Sequence, residues 1–469
     1  MKKQKRIILV LLIVIIALNI NFQGSAGKQN NSLQWFPSLA ADNDTVYIAW
    51  ADERNGNYTR IMNNLPHKSG DIYLSKGSFQ NGWVFDKNIK INEIKGTTGH
   101  GSPSIAVDSS NIYLVWEDDR FGFEELYFSM AEKNNILFKK DSPVVKDAGS
   151  QVLPSIVVRN GTVYAAMMNK KSWDIDFTEG HATNGVYRFD KPVRVNDDMS
   201  GNWHYAPSLA VDDEKNVCIA WLDARNSNYD IYFSHGIKEN GTWQFGKNVM
   251  VNDNSTNVSH YTPSLAFENG NVYIAWYDDR NKNFDIYFTT GRTENNSWKF
   301  EKNIKVNDDT GSSDQMHPSI AVNGGEIFIV WEDGKDGGSD IYFSKSVKKN
   351  ESLEFSKNTK VNDIKGKHYD PQIGVAGSNV YVAWQAEKTP YKTPYLNTGT
   401  KETDGGDIYF SDGKYNGKNW EFSRNIKIND DLTDSFTQPD PAFLGLILGP
   451  VIVSIILVGF LRKYGKRKK

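Results

Sequence analysis

Residues 263–308 read PSLAFENGNVYIAWYDDRNKNFDIYFTTGRTENNSWKFEKNIKVND. Four short pieces, Pro263 to Phe267, Asn271 to Trp276, Asp285 to Thr289 and Trp298 to Asp308, alternate aliphatic and aromatic residues with no helical period. Gly, Asn and Asp turns separate them, which is the pattern of four β-strands. The unit recurs: its opening proline, followed by Ser-Leu/Ile-Ala or a close variant, stands at Pro37, Pro103, Pro154, Pro207, Pro263, Pro318 and Pro371. Four strands per unit and seven units predict an all-β, seven-bladed propeller, because radial repetition buries strand edges by closing a ring. The first unit starts with its inner strand near Trp35 and the last ends at Ile428-Asn429-Asp430, so each blade is contiguous in sequence. Closure of the ring then rests on packing between blades seven and one. The tryptophan ending the second strand (Trp50, Trp116, Trp221, Trp276, Trp331 and Trp384, with Met167 in unit three) is read as inter-blade packing.

The flanks carry a different signal. Residues 1–26 have the layout of a signal peptide or N-terminal signal anchor: Lys2, Lys3, Lys5 and Arg6, an apolar run from Ile7, then Gly24 and Ala26. Propeller repeats occupy 33–430, a linker 431–442, and an uncharged apolar stretch 443–461 has the length of a transmembrane helix. The basic tail 462–469 is expected in the cytoplasm, which places the propeller outside the cell on a single-pass anchor. Ten of the 54 basic residues lie in these flanks, so against 57 acidic ones the exported part carries roughly −13. An acidic body argues against nucleic acid as a partner. Sequons at Asn30, Asn43, Asn57, Asn160, Asn240, Asn254, Asn257, Asn295 and Asn350 fit a glycosylated surface. The single cysteine, Cys218, has no partner for an internal disulfide.

Across residues 33–430 the unit resembles the sialidase-like, Asp-box (bacterial neuraminidase repeat) propellers. The resemblance is carried by the Pro-Ser-Ile-Ala-Val, Tyr-Ile-Ala-Trp and Asp-Ile-Tyr-Phe-Ser strands and by the closing Trp-x-Phe-x-Lys-Asn-Ile-Lys-Val-Asn-Asp. The Asp-box survives in worn form, best at Ser234 to Trp243, where Gly236 takes the place of its aspartate. Sialidases of this family typically have six blades, an Arg-Ile-Pro motif and an arginine triad. The corresponding segment here is Trp35-Phe36-Pro37, so the resemblance implies the architecture and transfers no catalytic residue.

Three residues before each repeat proline stand Gln34, His100, Gln151, His204, His260, Gln315 and His368, all histidine or glutamine. Such a ring suits hydrogen bonds between blades. The alternative is a ligand ring at the channel mouth, formed by His100, His204, His260 and His368, or a divalent metal there; no cofactor is otherwise expected. After the second strand, Asp-x-Arg recurs at Asp52/Arg54, Asp118/Arg120, Asp223/Arg225 and Asp278/Arg280, and is read as ion pairs bracing loops. Two connections between strands two and three are far longer than the rest: Ala51 to Gly70 in blade one and Gln385 to Gly406 in blade seven. Ring closure makes those blades neighbours. Tyr58, Arg60, His67, Tyr391 and Tyr395 in them are expected to form a ligand-contacting wall. The function expected is binding of a glycan or cell-surface protein. The alternative is a glycan-processing enzyme, either a diverged sialidase-like hydrolase or a polysaccharide lyase.

Overall fold

The computed structural model describes residues 33–430, except 56–58, 63–64, 69, 94–98, 146–148, 213–215, 254–256, 296, 350–351 and 388–405. The leader and the spanning helix expected over 443–461 lie outside the described residues. Among the described residues no helix is long and apolar enough to cross a membrane.

Blade five shows how the repeat folds. Its inner strand His260–Glu268 pairs antiparallel with Asn271–Asp278, which pairs with Asp285–Glu294. An outer strand follows in two pieces, Ser297–Phe300 and Ile304–Lys305, both bonded to the third strand. Seven such sheets follow one another without exchanging strands, which confirms seven contiguous blades. In blade two only Ser142–Pro143 of the outer strand is paired.

The repeated residues have separate tasks. All six tryptophans ending second strands are fully buried, as is Cys218. The serine after six of the seven prolines solves a problem of the inner strands, which do not pair with one another and leave N–H groups facing the preceding blade. Ser38, Ser104, Ser155, Ser208, Ser264 and Ser319 each accept, through Oγ, the backbone N–H of Ile105, Ile156, Leu209, Leu265, Ile320 and Ile373 respectively, at 2.9–3.2 Å. The closing Val-Asn-Asp works within a blade. Asn307, for example, accepts the N–H of Ile286 and donates to Asp285, tying the end of the outer strand to the start of the third. Glycine in the third strand provides room for the outer-strand phenylalanine: a Cβ on Gly291 would lie 2.5 Å from the Phe300 ring. The same substitution of space for side chain accounts for Gly236 under Phe245, where the worn Asp-box has lost its aspartate.

Ring closure is by side chains. Trp83 of blade one packs edge-on against Tyr381 and Phe410 of blade seven, with ring centroids 5.3 and 4.8 Å apart. Hydrogen bonds cross the same joint, among them Asn88 to the Ile428 carbonyl, Tyr381 to the Asn43 carbonyl, and Asn429 to Gln34.

Candidate functional site at the channel mouth

The start of the inner strand, the end of the second and the start of the third lie side by side, as His260↔Asp278↔Asp285 shows in blade five. Residues at these positions therefore share one face of the ring. Two concentric sets of side chains occupy it.

The first is the histidine and glutamine set, and it is buried. His100, His204, His260 and His368 are each less than 5% exposed. In blades two, four and five, Nδ1 faces a carbonyl of the preceding blade, at Gly70, Trp173 and Tyr229. Nε2 faces the aspartate that ends the second strand, at 2.9 Å for His100–Asp118 and 3.3 Å for His204–Asp223. His368 is bonded differently: Trp384 donates to its Nδ1, and its Nε2 faces the Ile364 carbonyl. Burial pushes it down to about 4, so it is neutral. The aspartates of the set also receive the arginines of Asp-x-Arg. Arg120 donates to Asp118 and Asp141 and lies over the Tyr127 ring at 3.6 Å; Arg54, Arg225 and Arg280 repeat the arrangement on Tyr73, Tyr232 and Tyr287. These groups hold loops and blades together.

The second set arises from a bulge. In all seven inner strands the pairing slips just before the repeat proline or at the equivalent step, and the residue preceding proline takes positive φ: Phe36, Ser102, Leu153, Ala206, Thr262, His317 and Asp370, at 43–55°. These seven side chains are partly exposed beside the channel. They differ from blade to blade, and here the symmetry breaks. Blades one, three and four present Phe36, Leu153 and Ala206, whereas blades six and seven present His317 and Asp370.

Glu332, at the end of the second strand of blade six, joins these two. Its Oε1 accepts from His317 Nδ1 at 2.8 Å and from the Asp370 backbone N–H at 2.7 Å. Tyr277 of blade five stands edge-on to the His317 ring, 5.5 Å between centroids, and Tyr261 stacks on Tyr277. His317 is raised to about 9: burial works against its charge, but Glu332 and then Asp370 outweigh it. Asp370 is raised to about 6, chiefly by burial, with Glu332 adding to the rise and His317 opposing it. Near neutrality the mouth therefore holds an imidazolium beside a carboxylate that can still take up a proton. In blade two, Glu117 occupies the position of Glu332, accepts the Leu153 N–H at 2.8 Å, and is raised by burial to about 7.

Ligand atoms of His317, Glu332 and Asp370 lie within 4.8 Å of one another, as do those of Asp198, His204 and Asp223. A divalent cation at the first group would displace the His317–Glu332 bond, and at the second it would compete with Arg225, which donates twice to Asp223.

The expected wall lies mostly outside the described residues. Tyr58, Tyr391 and Tyr395 lie outside the described residues. Arg60 and His67 sit directly opposite each other in a hairpin, Thr59–Met62 with Leu65–Lys68, on this face of blade one. The His317–Glu332–Asp370 cluster was missed by sequence reasoning, although its signal was there: one position varies between fixed neighbours in every repeat.

No protein-family model matches the chain. No curated protein matches it either. Solved structures do: a protein from Lactobacillus plantarum has TM-score 0.53 at 8% identity, over 83% of this chain and 97% of its own. The polysaccharide lyase Uly1 has TM-score 0.49 at 12% identity, over 75% and 86% of the two chains. NanB sialidase from Streptococcus pneumoniae has TM-score 0.41 at 11% identity, over 77% and 66%. At these identities the likeness is one of fold alone.

Proposed function

We propose that the chain is an exported, membrane-tethered propeller that processes a glycan at its channel mouth, with Asp370 accepting a proton and His317 supplying one. The observation that carries this reading is the break in symmetry: where other blades present apolar or hydroxyl side chains, blades six and seven bring an imidazole and a carboxyl within 4.8 Å of Glu332, which accepts from His317 Nδ1 and from the Asp370 backbone N–H. Cleavage of a glycosidic bond needs a base and an acid close together, and a cation beside a carboxylated sugar helps either hydrolysis or β-elimination. Tyr261 and Tyr369, both partly exposed, supply flat apolar surface for a sugar ring. The same reading keeps Arg60 and His67, opposite each other in the hairpin of blade one, as candidate contacts for an acidic ligand.

The test is turnover by the full chain in detergent on a panel of polysaccharides, reading new reducing ends for hydrolysis and ultraviolet absorbance of the unsaturated sugar for elimination. Asp370→Asn and His317→Gln are each expected to lower kcat by about 10²- to 10⁴-fold. The wild-type rate is expected to rise with pH through about 6 and fall through about 9, as Asp370 loses its proton and then His317 does. A chain that binds a glycan at the mouth but releases no product, with binding lost in the same variants, would instead support a pure binding module. That second reading draws on the way Glu332 already braces the His317 ring and the Asp370 backbone.

A further inference from the structure

We propose that the loops of blades three and four carry a second glycan subsite, a tryptophan platform for a neutral stretch of polysaccharide. This rests on the reading of the face as a glycan site and extends it away from the mouth. Trp173 lies in the loop between strands two and three of blade three, and Trp203 just before the inner strand of blade four. Their rings stack, with centroids 5.0 Å apart and planes 19° from parallel. Trp203 is nonetheless 53% exposed, and Met199 in the same loop is 75% exposed. In the matching loop of blade two, Phe121 and Phe123 are also exposed. The position of Trp173 is aromatic in blades four and five as well, at Tyr229 and Phe284, but that of Trp203 is Gly99, Ser259 and Asp314 in blades two, five and six, so the exposed second ring belongs to this one place in the ring.

The platform is built before any ligand arrives. Trp173 holds φ at 63°, costly for a non-glycine residue, and is clamped on both sides: its N–H donates to the Asn169 carbonyl, and its own carbonyl accepts from the His204 N–H and faces His204 Nδ1. The Trp203 carbonyl accepts the Ala224 N–H. Rings fixed this way lose little freedom on binding.

Its chemistry selects the occupant. An indole face of this size matches the apolar face of a pyranose, whereas a stable protein partner needs about 800 Å² per side. Beside it, Asp198 accepts from Ser200 and Asn202, a set of short donors and acceptors that suits sugar hydroxyls. Arg225 is joined with Asp197 and Lys170 with Glu124, and the stacked indoles call for no charge; Lys171 and Arg194, which donates to Met199 Sδ, are the cations of these loops that the acidic control tests.

The full chain in detergent would be run in native gels containing xyloglucan, galactomannan or arabinan, with alginate as an acidic control. At least one neutral polysaccharide is expected to retard the wild type. Trp203→Ala is expected to weaken that retardation about tenfold, with Trp203→Phe between the two. Because a variant can fail through misfolding, the wild type is also tested alone: the same polysaccharide is expected to shield part of its tryptophan emission from iodide. Retardation by alginate only, equal retardation of Trp203→Ala, or no shielding would overturn the proposal. Asp370→Asn separates the two readings, since it is expected to keep the retardation while releasing no product. Retardation that depends on Trp203 supports the platform whether or not products form.

Discussion

Two residues at the mouth titrate in ways that set opposite demands on stability and function. His317 is raised from its ordinary value near 6.5 to about 9, so its stabilising charge is fully present below 6.5 and is lost as pH rises through 9. Its side chain is 22% exposed, and the contribution is on the order of 2 kcal/mol. His317→Gln is therefore expected to lower the melting temperature at pH 6 and to match the wild type well above pH 9, by thermal unfolding across that range. Asp370 is also raised, which for a carboxylate means that ionisation opposes folding; the burden appears as pH climbs from the ordinary aspartate value through about 6. Asp370→Asn should accordingly gain on the order of 1 kcal/mol at pH 8 while losing turnover, and a loss of stability there would show that the carboxylate is a structural brace. The sequence made the first ring of side chains legible because all seven copies agree on histidine or glutamine. It hid the second because the bulge breaks the strand's two-residue alternation, so nothing in the pattern says which way His317 and Asp370 face.

At the scale of strands, most of the architecture could be read from periodicity. The four pieces of each unit, the buried tryptophans and the contiguous blades all appear where alternation and turn residues place them. What could not be read is the work of the small polar residues, since their partners are distant in sequence. Ser264 bonds a backbone N–H 56 residues away in the next blade, a relation that exists only after the ring forms. Ser264→Ala would leave the Ile320 N–H without that acceptor between two packed strands. It is expected to cost about 1–3 kcal/mol in chemical unfolding, more than an alanine at an exposed serine such as Ser109. Gly291→Ala should cost about as much by a different route, because the new methyl meets the Phe300 ring in a packed sheet. A neutral result at Gly291 would mean that the outer strand can move away from the third freely.

For the whole molecule, the joint between blades one and seven differs from the other six in two respects: no peptide link crosses it, and Gln372 stands where the other six blades place the serine that bonds the next inner strand. Its packing is otherwise of the same kind. Trp83 meets Phe410 at 4.8 Å as Trp243 meets Phe177 at 5.3 Å between blades three and four, and Trp298 meets Phe233 at 5.0 Å between blades four and five. Truncating either Trp83 or Trp243 to alanine removes a comparable aromatic contact, and each is expected to lower global stability by about 3 kcal/mol. Local opening should separate them. With blades three and four joined covalently, Trp243→Ala leaves the ring closed and exposes little backbone short of global unfolding. At the seam side-chain packing and side-chain hydrogen bonds resist without a peptide link, so Trp83→Ala is expected to let the two end blades part. Hydrogen exchange should then quicken selectively in the inner strands Gln34–Asp42 and Lys367–Ala376, with His204–Val211 unchanged. If exchange rises equally in all three strands, the ring opens only as it unfolds, and the seam is as strong as a covalent joint.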